Sequence, residues 1–387
     1  MVVSKRAFLR AAGLLVAYGI LARGLPGGGR SDRKGAGHKV ILVIIGGVRG
    51  QETFSREGLA NIPYLSGPLF SKSLFYSHVR NEGVTAHFNA ISSILTGTWQ
   101  RVGDWGEIPP SAPTLFEYFR QQMRVPPSEA WIVASNKALT NLIGASSAPN
   151  YGPAFGANAV LPKQLLIEAV REAIQKGEKH NLASRANAQA QLEAMLEGSN
   201  YEGLGWTVFD ASDHLDPRVR ATVREAIASF IGGSGPMTGD ELTFFMSREI
   251  MRKFAPGLMA VVFSDVEVAH FGTYSLHVAG IRNVDRLCSQ LWEEVETNSE
   301  YRGRTTLVIL PEFGRDPDGS TTNGFFNHRS NDDSCRVTWM LCRGAAVDWP
   351  QVVERPVRHI DLCPTLATLL GCRSLEAQGG RLEEFRA

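Results

Sequence analysis

Residues 40–45 (VILVII) are the feature that most constrains how this chain can fold. All of them are apolar, and all but Leu42 are β-branched, which favours an extended strand. Because the apolar residues run without interruption instead of alternating with polar ones, both faces of the strand must be covered. The run stops at Gly46 and Gly47, where the chain can turn away. This pattern is typical of an interior strand of a parallel sheet that carries helices on both sides.

Further apolar runs repeat this pattern along the chain, at residues 131–134, 258–263 and 306–310. Between them, apolar residues recur at three- and four-residue spacing over 114–122 and 277–295, which predicts two helices. Strands that alternate with helices predict an α/β layered sandwich with a central mixed, mostly parallel sheet. A single domain of this class over residues 38–387 fits the length, since insertions often enlarge such folds.

The middle of the chain, residues 155–256, is predicted to be a mostly helical insertion in this domain. These residues are rich in Glu, Arg, Ala and Gln, which are good helix formers. The insertion either covers a site or only stabilises the domain, and the sequence leaves both possibilities open. The predicted helices are 162–176, 184–196, 217–231 and 239–253.

Residues 1–30 have the order of an export signal. Lys5, Arg6 and Arg10 precede an uncharged, mostly apolar stretch at 11–22 and then a glycine-rich one. That stretch is shorter than the ~20 residues that cross a bilayer. Residues 4–10 (SKRAFLR) resemble the twin-arginine export motif, with Lys5 in place of its first arginine. We predict export to the periplasm or cell envelope and a polar linker at 31–37. The segment is predicted to be a cleaved signal or a retained membrane anchor, with an amphipathic helix as the alternative.

Composition excludes several classes of protein. Lys and Arg total 40 against 39 Asp and Glu, so the net charge of +1 gives no general attraction for nucleic acid. With 43% hydrophobic residues, the chain is neither disordered nor fibrous. None of the five cysteines forms a C-x-x-C pair, the spacing of common zinc and redox motifs. We expect several of them to be small buried side chains.

Polar residues with metal-binding chemistry follow the predicted strands. In an open α/β sheet, ligands bind beyond the carboxyl ends of the strands. Asp265, Glu267 and His270 come after the run at 258–263, and Glu312 comes after the run at 306–310. Carboxylate and imidazole groups that converge at one sheet edge suit a divalent metal such as zinc or manganese. Any one of these acidic residues alone could equally cap a helix.

The order of these motifs resembles the alkaline phosphatase and sulfatase superfamily. Members begin with an apolar strand followed by Asp-Gly, and residues 40–47 occupy that place here. A nucleophile then lies nine residues before a Thr-Gly pair, where this chain has His87 ahead of Thr96 and Gly97. The resemblance runs from about His38 to the carboxyl terminus and is interrupted by the helical middle.

The later motifs follow in the same order. Glu267 and His270 stand where the family has an acidic residue shortly before a histidine, and His328 in FFNHRS matches a further histidine. Residues 312–315 (EFGR) replace Asp-His-Gly, and this variant also resembles a group of twin-arginine-exported bacterial proteins related to the superfamily. Residues 359–371 (HIDLCPTLATLLG) resemble the family's Asp-x-x-Pro-Thr-Leu helix and its Leu-Leu-Gly. The resemblance implies an alkaline-phosphatase-like fold and a hydrolase.

The resemblance also implies which residues would bind metal. Family members hold two metal ions, and one of them is bound by an aspartate and two histidines. Glu267, His270 and His328 match that set, and Asp265 is a competing ligand.

The second family site departs from its pattern in this chain. It uses the aspartate of Asp-Gly, the nucleophile, and the Asp-His pair, which are Gly46, His87, Glu312 and Phe313 here. Glycine has no side chain and phenylalanine cannot coordinate. We therefore expect one zinc or manganese ion, or a rearranged pair, instead of the usual two-metal arrangement.

His87 stands at the position of the family nucleophile. Phosphatases of this fold use a serine or threonine there, and sulfatases convert a cysteine or serine, so His87 excludes an ordinary sulfatase if the register holds. An imidazole can bind a metal, act as general acid or base, or form a phosphohistidine. It can also be a buried histidine of a degenerate site. A shifted register would bring in the hydroxyls of Thr85, Ser92 and Ser93.

Arg49, Asn89 and Arg315 are the predicted ligand-binding residues, because they adjoin the motifs and guanidinium groups suit phosphate or sulfate. Ion pairs with neighbouring acids are the alternative for the arginines. The first function hypothesis is a metal-dependent hydrolase of small phosphate or sulfate esters in the cell envelope, with a depleted two-metal site. The alternative is a non-catalytic relative that binds a partner or an anionic ligand.

Overall fold

A sheet of nine strands organises the part of the chain that the computed structural model describes, residues 37–103, 108–135, 144–162, 238–319 and 324–386. The strands are β1 (Lys39–Ile45), β2 (Leu74–Arg80), β3 (Ala130–Ala134), β4 (Asn158–Val160), β5 (Leu258–Phe263), β6 (Thr305–Pro311), β7 (Val337–Gly344), β8 (Gln351–Val353) and β9 (Val357–Arg358). The helices are α1 (His87–Thr96), α2 (Leu115–Met123), α3 (Gly239–Phe254), α4 (Tyr274–Thr297), α5 (Asp333–Arg336) and α6 (Leu362–Leu369).

The sheet is mixed and mostly parallel. Its strand order is β4-β3-β5-β1-β6-β7-β2-β8, and β9 pairs with β2. Five neighbouring strands of the sheet, β4, β3, β5, β1 and β6, run parallel to one another. Among them, β1 lies between β5 and β6. Only β7 among the described strands pairs in an antiparallel manner, with β6 on one side and β2 on the other. The carboxyl ends of β1, β5 and β6 therefore meet at one edge of the sheet.

Helices cover both faces of the sheet, and β1 shows why its residues are continuously apolar. Ile41, Val43 and Ile45 point into one core, together with apolar residues of α3 and α4. The alternate residues Leu42 and Ile44 point into the other core, with apolar residues of α1, α2 and α6. Because successive side chains of a strand face opposite sides, a strand between two helical layers has no position left for a polar residue.

The four predicted central strands and the two predicted helices between them are all present. Residues 40–45, 131–134, 258–263 and 306–310 lie in β1, β3, β5 and β6, each within one residue of the predicted ends. The helices predicted at 114–122 and 277–295 are α2 and α4. The predicted fold class, an α/β sandwich on a mostly parallel sheet, is confirmed.

The predicted insertion is described only at its two ends. Asn158–Val160 forms the edge strand β4, paired with β3. The helix predicted at 239–253 is α3, which packs on β3, β5 and α4. The helices predicted at 184–196 and 217–231 lie outside the described residues, as does all but the first residue of the one at 162–176. The signal and linker predicted at 1–30 and 31–37 lie outside them except for Gly37. No helix in the described ranges combines the length and apolar character needed to cross a bilayer.

Candidate metal centre and active site

Four chain segments bring the candidate residues to the carboxyl edge of the sheet. Glu267 and His270 lie on a 3-10 turn (Asp265–Phe271) that directly follows β5 and Ser264. Glu312 is the first residue after β6. His87 is the first residue of α1, and His328 lies in the loop between β6 and α5.

Within the described residues, His87, Glu267, His270 and His328 form one group that could hold a metal ion, with one ligand atom from each lying within 4.8 Å of every other. His270 Nε2 lies 3.1 Å from Glu267 Oε2 and 3.1 Å from His328 Nε2. His87 Nε2 lies 3.3 Å from the same oxygen of Glu267. The structure thus joins the three ligands predicted for the first metal, and it adds the histidine at the nucleophile position.

The tautomer of His328 leaves its cluster-facing nitrogen free of a proton. His328 Nδ1 lies 2.6 Å from the main-chain oxygen of Thr85, which can only accept, so Nδ1 carries the proton. Burial first, and then the neighbouring His87, hold the pKa of His328 well below its ordinary value, so the ring is neutral. Its Nε2 therefore presents a lone pair towards His270. A backbone carbonyl that orients a histidine in this way is a common support for a metal ligand.

His87 is held between two carboxylates. Its Nδ1 hydrogen-bonds to Glu312, which is almost completely buried, and its Nε2 faces Glu267. A carboxylate facing each ring nitrogen fixes the orientation of the ring. Glu312 thus lies behind His87 and acts on the group of four through it.

Glu267 fills the space that a side chain at position 46 would take. A Cβ atom built on Gly46 would lie only 2.3 Å from Glu267 Oε1 and 3.1 Å from Glu267 Cδ. The same oxygen accepts a hydrogen bond of 2.6 Å from the main-chain N–H of Gly47. A side chain at position 46 would therefore displace the glutamate, which reaches across from the end of β5 to the end of β1.

Arg315 provides the charge that keeps Glu267 ionised. Its Nη2 donates to Glu267 Oε2 at 2.5 Å, and the arginine is fully buried. Burial alone would raise the pKa of Glu267. The guanidinium of Arg315 and the rings of His87 and His270 outweigh it and hold that pKa well below its usual value.

Phe313 provides packing where the family pattern has a metal-binding histidine. It is completely buried, and its ring stacks on the His328 ring with 4.5 Å between centroids and 28° between planes. The centroid of His87 lies 5.2 Å from it. Phe313 therefore holds two of the clustered imidazoles in place by apolar contact and contributes no ligand atom.

The residues present fit one divalent ion. Donor atoms bound to a single tetrahedral zinc at ~2.0–2.1 Å lie about 3.3–3.4 Å apart. Three separations among the donors of Glu267, His270, His328 and His87, at 3.1 Å, 3.1 Å and 3.3 Å, come close to that value, and all four donors lie within 4.8 Å of one another. Imidazole nitrogens together with one carboxylate are also a ligand set that zinc and manganese accept.

Other predicted site residues have partners outside this group. Asp265 accepts a hydrogen bond of 2.9 Å from the main-chain N–H of Asp240, and Asp240 accepts one of 3.1 Å from that of Asp265. Asp265 thus caps the start of α3, and its predicted competition with Glu267 has no geometric support. The amide of Asn89 bonds to the main chain of Val102 and Gly103, and so fixes the loop that follows α1.

The two arginines predicted to bind an anion are engaged inside the protein. Arg49 is almost fully buried and pairs with Glu52 and with Asp318, whose carboxylate it contacts at 2.8 Å. All three nitrogen positions of Arg315 donate to protein acceptors, which are Glu267, the Gly47 oxygen and the Phe325 oxygen. Neither guanidinium is presented to a substrate.

The hydroxyls considered as replacement nucleophiles are not placed in the cluster. Ser93 donates to the main-chain oxygen of Asn89 one turn earlier in α1, at 2.6 Å, and Ser92 is buried in the same helix. Thr85 contributes its main-chain oxygen, as the acceptor for His328. Among the side chains of α1, His87 is the one that joins the group of Glu267, His270 and His328.

His277 is a supporting residue that the sequence did not reveal. Its Nδ1 lies 2.8 Å from the main-chain oxygen of Val266, so it donates to the turn that carries Glu267 and His270. Burial, and then Arg315, lower the pKa of His277 to about 4, which keeps the ring neutral. The sequence did offer one indication of this role. His277 lies in the first turn of α4, and the first turn of a helix that follows the Asp265–Phe271 turn so closely packs against that turn.

Comparisons with known proteins support the fold. No family model matches the chain, and no curated protein matches it in sequence. Solved structures do resemble it. The alkaline phosphatase PafA is 10% identical with a TM-score of 0.53, over 91% of this chain and 99% of PafA. The phosphonate monoester hydrolases of Silicibacter pomeroyi and Agrobacterium radiobacter are each 13% identical with a TM-score of 0.51, over 89% of this chain and 76% of theirs. The chain therefore has the alkaline-phosphatase-like fold that its motifs predicted.

Proposed function

We propose that this protein is a hydrolase of small phosphate or sulfate esters that works with a single divalent metal ion. The observation that carries the proposal is the convergence of one carboxylate and three imidazoles at the carboxyl edge of an alkaline-phosphatase-like sheet. Glu267, His270 and His328 would hold the ion, with His87 beside them. Bound there, zinc or manganese would supply positive charge to an ester oxygen.

His87 is the proposed general acid or base. Its Nδ1 is tied to Glu312, so its Nε2 faces the cluster in a fixed orientation. An imidazole held in this way can take a proton from water or a hydroxyl group and return it to a leaving group. Glu312 is the positioning residue of this pair, since it acts through the ring of His87.

The alternative is a non-catalytic protein that keeps the fold and the metal site. The occupation of the space at Gly46 by Glu267 favours this alternative, because the family pattern has a metal-binding aspartate there. The stacking of Phe313 on His328 favours it for the same reason. These two features argue against a second metal ion, and they leave the chemistry of the first site open.

Purified protein tests both candidates in one set of assays with aryl phosphate monoesters, diesters and sulfates, each with added zinc or manganese. We expect turnover by the wild type, and a loss of ~10²–10⁴-fold in His87→Ala, the range for a general acid or base. His328→Ala should lose the metal, whereas His78→Ala, a change at an exposed residue, should not. Metal binding without turnover of any ester would favour the non-catalytic alternative.

The proposed place of action is the cell envelope. The basic and then apolar order of residues 1–30 supports it, with either a cleaved signal or a membrane anchor as the outcome. Changing Lys5 and Arg6 together to Gln should leave the protein in the cytoplasm, as measured by cell fractionation. Unchanged localisation of this variant would contradict the signal.

A further inference from the structure

The hydrogen bonds of Arg315 join three chain segments at the metal centre. Its Nε donates to the Gly47 oxygen at 2.7 Å, after β1, and its Nη1 donates to the Phe325 oxygen at 3.2 Å, in the loop that carries His328. Its Nη2 donates to Glu267 Oε2 at 2.5 Å. The guanidinium has no exposed surface, so its charge acts almost entirely on its buried neighbours.

The oxygen that Arg315 contacts is also the one that faces the histidines. Glu267 Oε2 lies 3.1 Å from His270 Nε2 and 3.3 Å from His87 Nε2. A metal ion held by these ligands and the arginine must therefore share one carboxylate oxygen. The other oxygen of Glu267 is taken by the Gly47 N–H and lies in the space beside Gly46.

We propose that Arg315 is a built-in cation that shares the Glu267 carboxylate with the bound metal ion, and thereby weakens the affinity of the site and limits it to one ion. This inference rests on the metal site of the proposed function and adds a control on it. Without metal, the guanidinium of Arg315 balances the charge of Glu267. With metal, the same charge opposes the ion at close range.

Two opposite effects of removing Arg315 decide the sign of the expected result. Loss of a residue that orients a metal ligand typically weakens metal binding by ~10–100-fold. Loss of a positive charge about 5 Å from a divalent ion strengthens binding, and by Coulomb's law this gain is on the order of 10⁴-fold at an effective dielectric constant of about 20. The second effect is the larger, so Arg315→Gln should bind metal more tightly.

The test is a zinc titration of metal-free protein against a fluorescent chelator, read as stoichiometry and dissociation constant. We expect one ion in the wild type and at least ~10-fold tighter binding in Arg315→Gln. Arg315→Lys keeps the charge but lacks the three-way fork, so its affinity should stay within a few-fold of the wild type. Arg355→Gln is the matched control, since that arginine is half exposed and pairs with Glu384.

A second measurement covers the case in which Arg315→Gln does not fold without metal. Refolding from denaturant with a chelator should then fail, and refolding with equimolar zinc should succeed, because the ion replaces the missing charge. A variant that zinc does not rescue, while the wild type binds zinc, would overturn the inference.

The outcomes separate this inference from the proposed function. Zinc binding by the wild type with equal or weaker binding by Arg315→Gln overturns the inference alone, and so does a second ion in the wild type. If zinc binding is weakened equally in Arg315→Gln and Arg315→Lys, the arginine acts by orienting the Glu267 carboxylate and not by its charge. Absence of zinc binding by the wild type overturns the metal site and the inference together.

Discussion

At the scale of single residues, the length of one side chain decides which metal ligands this fold can hold. Glutamate at 267 has one methylene more than the aspartate of the family pattern, and its carboxylate reaches the end of β1. A side chain at position 46 would force this glutamate to move. The glycine at 46 and the placement of Glu267 are therefore coupled, although 220 residues separate Gly47 from Glu267.

Gly46→Ala should measure how firmly the glutamate is held. Its Cβ would lie 2.3 Å from Glu267 Oε1 and 2.9 Å from Val266 Cγ2, so the carboxylate must leave its hydrogen bonds or the backbone must move. We expect the free energy of unfolding to fall by ~1–3 kcal/mol, as for other additions to a filled interior. Gly50→Ala is the control, because nothing lies within 4 Å of its Cβ position. Chemical denaturation of both variants gives the comparison.

The same substitution in a Glu267→Asp background tests the cause. The shorter acid withdraws from the space at 46, so the cost of Gly46→Ala should shrink by at least ~0.5 kcal/mol, the smallest coupling expected between residues in contact. An equal cost in both backgrounds would show that Val266, and not the carboxylate, resists the added methyl group.

At the scale of secondary-structure elements, two helices begin with the same capping motif in different surroundings. Thr114 and Glu117 form a capping box at α2, and Thr238 and Glu241 form one at α3. The carboxylate of Glu117 is buried, and it also accepts hydrogen bonds from the Ser146 main chain and hydroxyl and from the Gly152 main chain. Glu117 therefore fixes the loop after β3 as well as the start of α2.

Glu117→Gln should cost far more stability than Glu241→Gln. A glutamine keeps one acceptor oxygen, but its NH₂ group would face main-chain N–H donors that then lose their partner in the interior. Hydrogen bonds to a buried charged group contribute ~1.5–3 kcal/mol each, so we expect a loss above about 2 kcal/mol. At α3, Glu241 pairs with a partly exposed arginine, Arg286, and its replacement should cost below about 1 kcal/mol. Equal losses of stability in the two variants would show that the additional hydrogen bonds of Glu117 contribute nothing beyond the capping of α2.

At the scale of the whole molecule, the central part of the sheet could be predicted from the sequence, and its outer part could not. The strands β1, β3, β5 and β6 lie between two helical layers, so burial on both faces leaves an unbroken apolar run. By contrast, β2 (LFYSHVR) carries polar residues at a register shift and pairs with short strands, so its pattern does not stand out. The partners of β2 in the sheet, β7, β8 and β9, lie more than 250 residues later in the chain. Its pairing is therefore decided by the packing of the whole sheet and not by neighbouring residues in the sequence.

The convergence of the candidate metal ligands could be predicted from the sequence, and the contacts that hold them in place could not. Family motif order brought out Glu267, His270 and His328, and the structure places them together. The link between His87 and Glu312 joins residues 225 positions apart, and nothing local to either of them indicates it. Arg315 was predicted as an anion-binding residue because guanidinium groups suit phosphate, but its nitrogens are turned to protein acceptors. Which side a charged residue faces is decided by the packing of all the layers.

The reactivity of the five cysteines can show whether the two hydrophobic cores become exposed to solvent only when the whole protein unfolds. All five are free and buried, in either core or in the chain beside the metal centre. Burial raises the pKa of Cys335 and of Cys372 to about 12, so at pH 8 only ~10⁻⁴ of these thiols are reactive thiolates. We expect negligible reaction of the native protein with Ellman's reagent over minutes, and five thiols after denaturation without reductant.

A rate that rises with denaturant in parallel with the loss of circular dichroism would show that exposure requires global unfolding. Fewer than five thiols in the denatured protein would instead reveal disulfides formed in an oxidising compartment, and rapid reaction of one thiol in the native state would reveal a layer that opens locally.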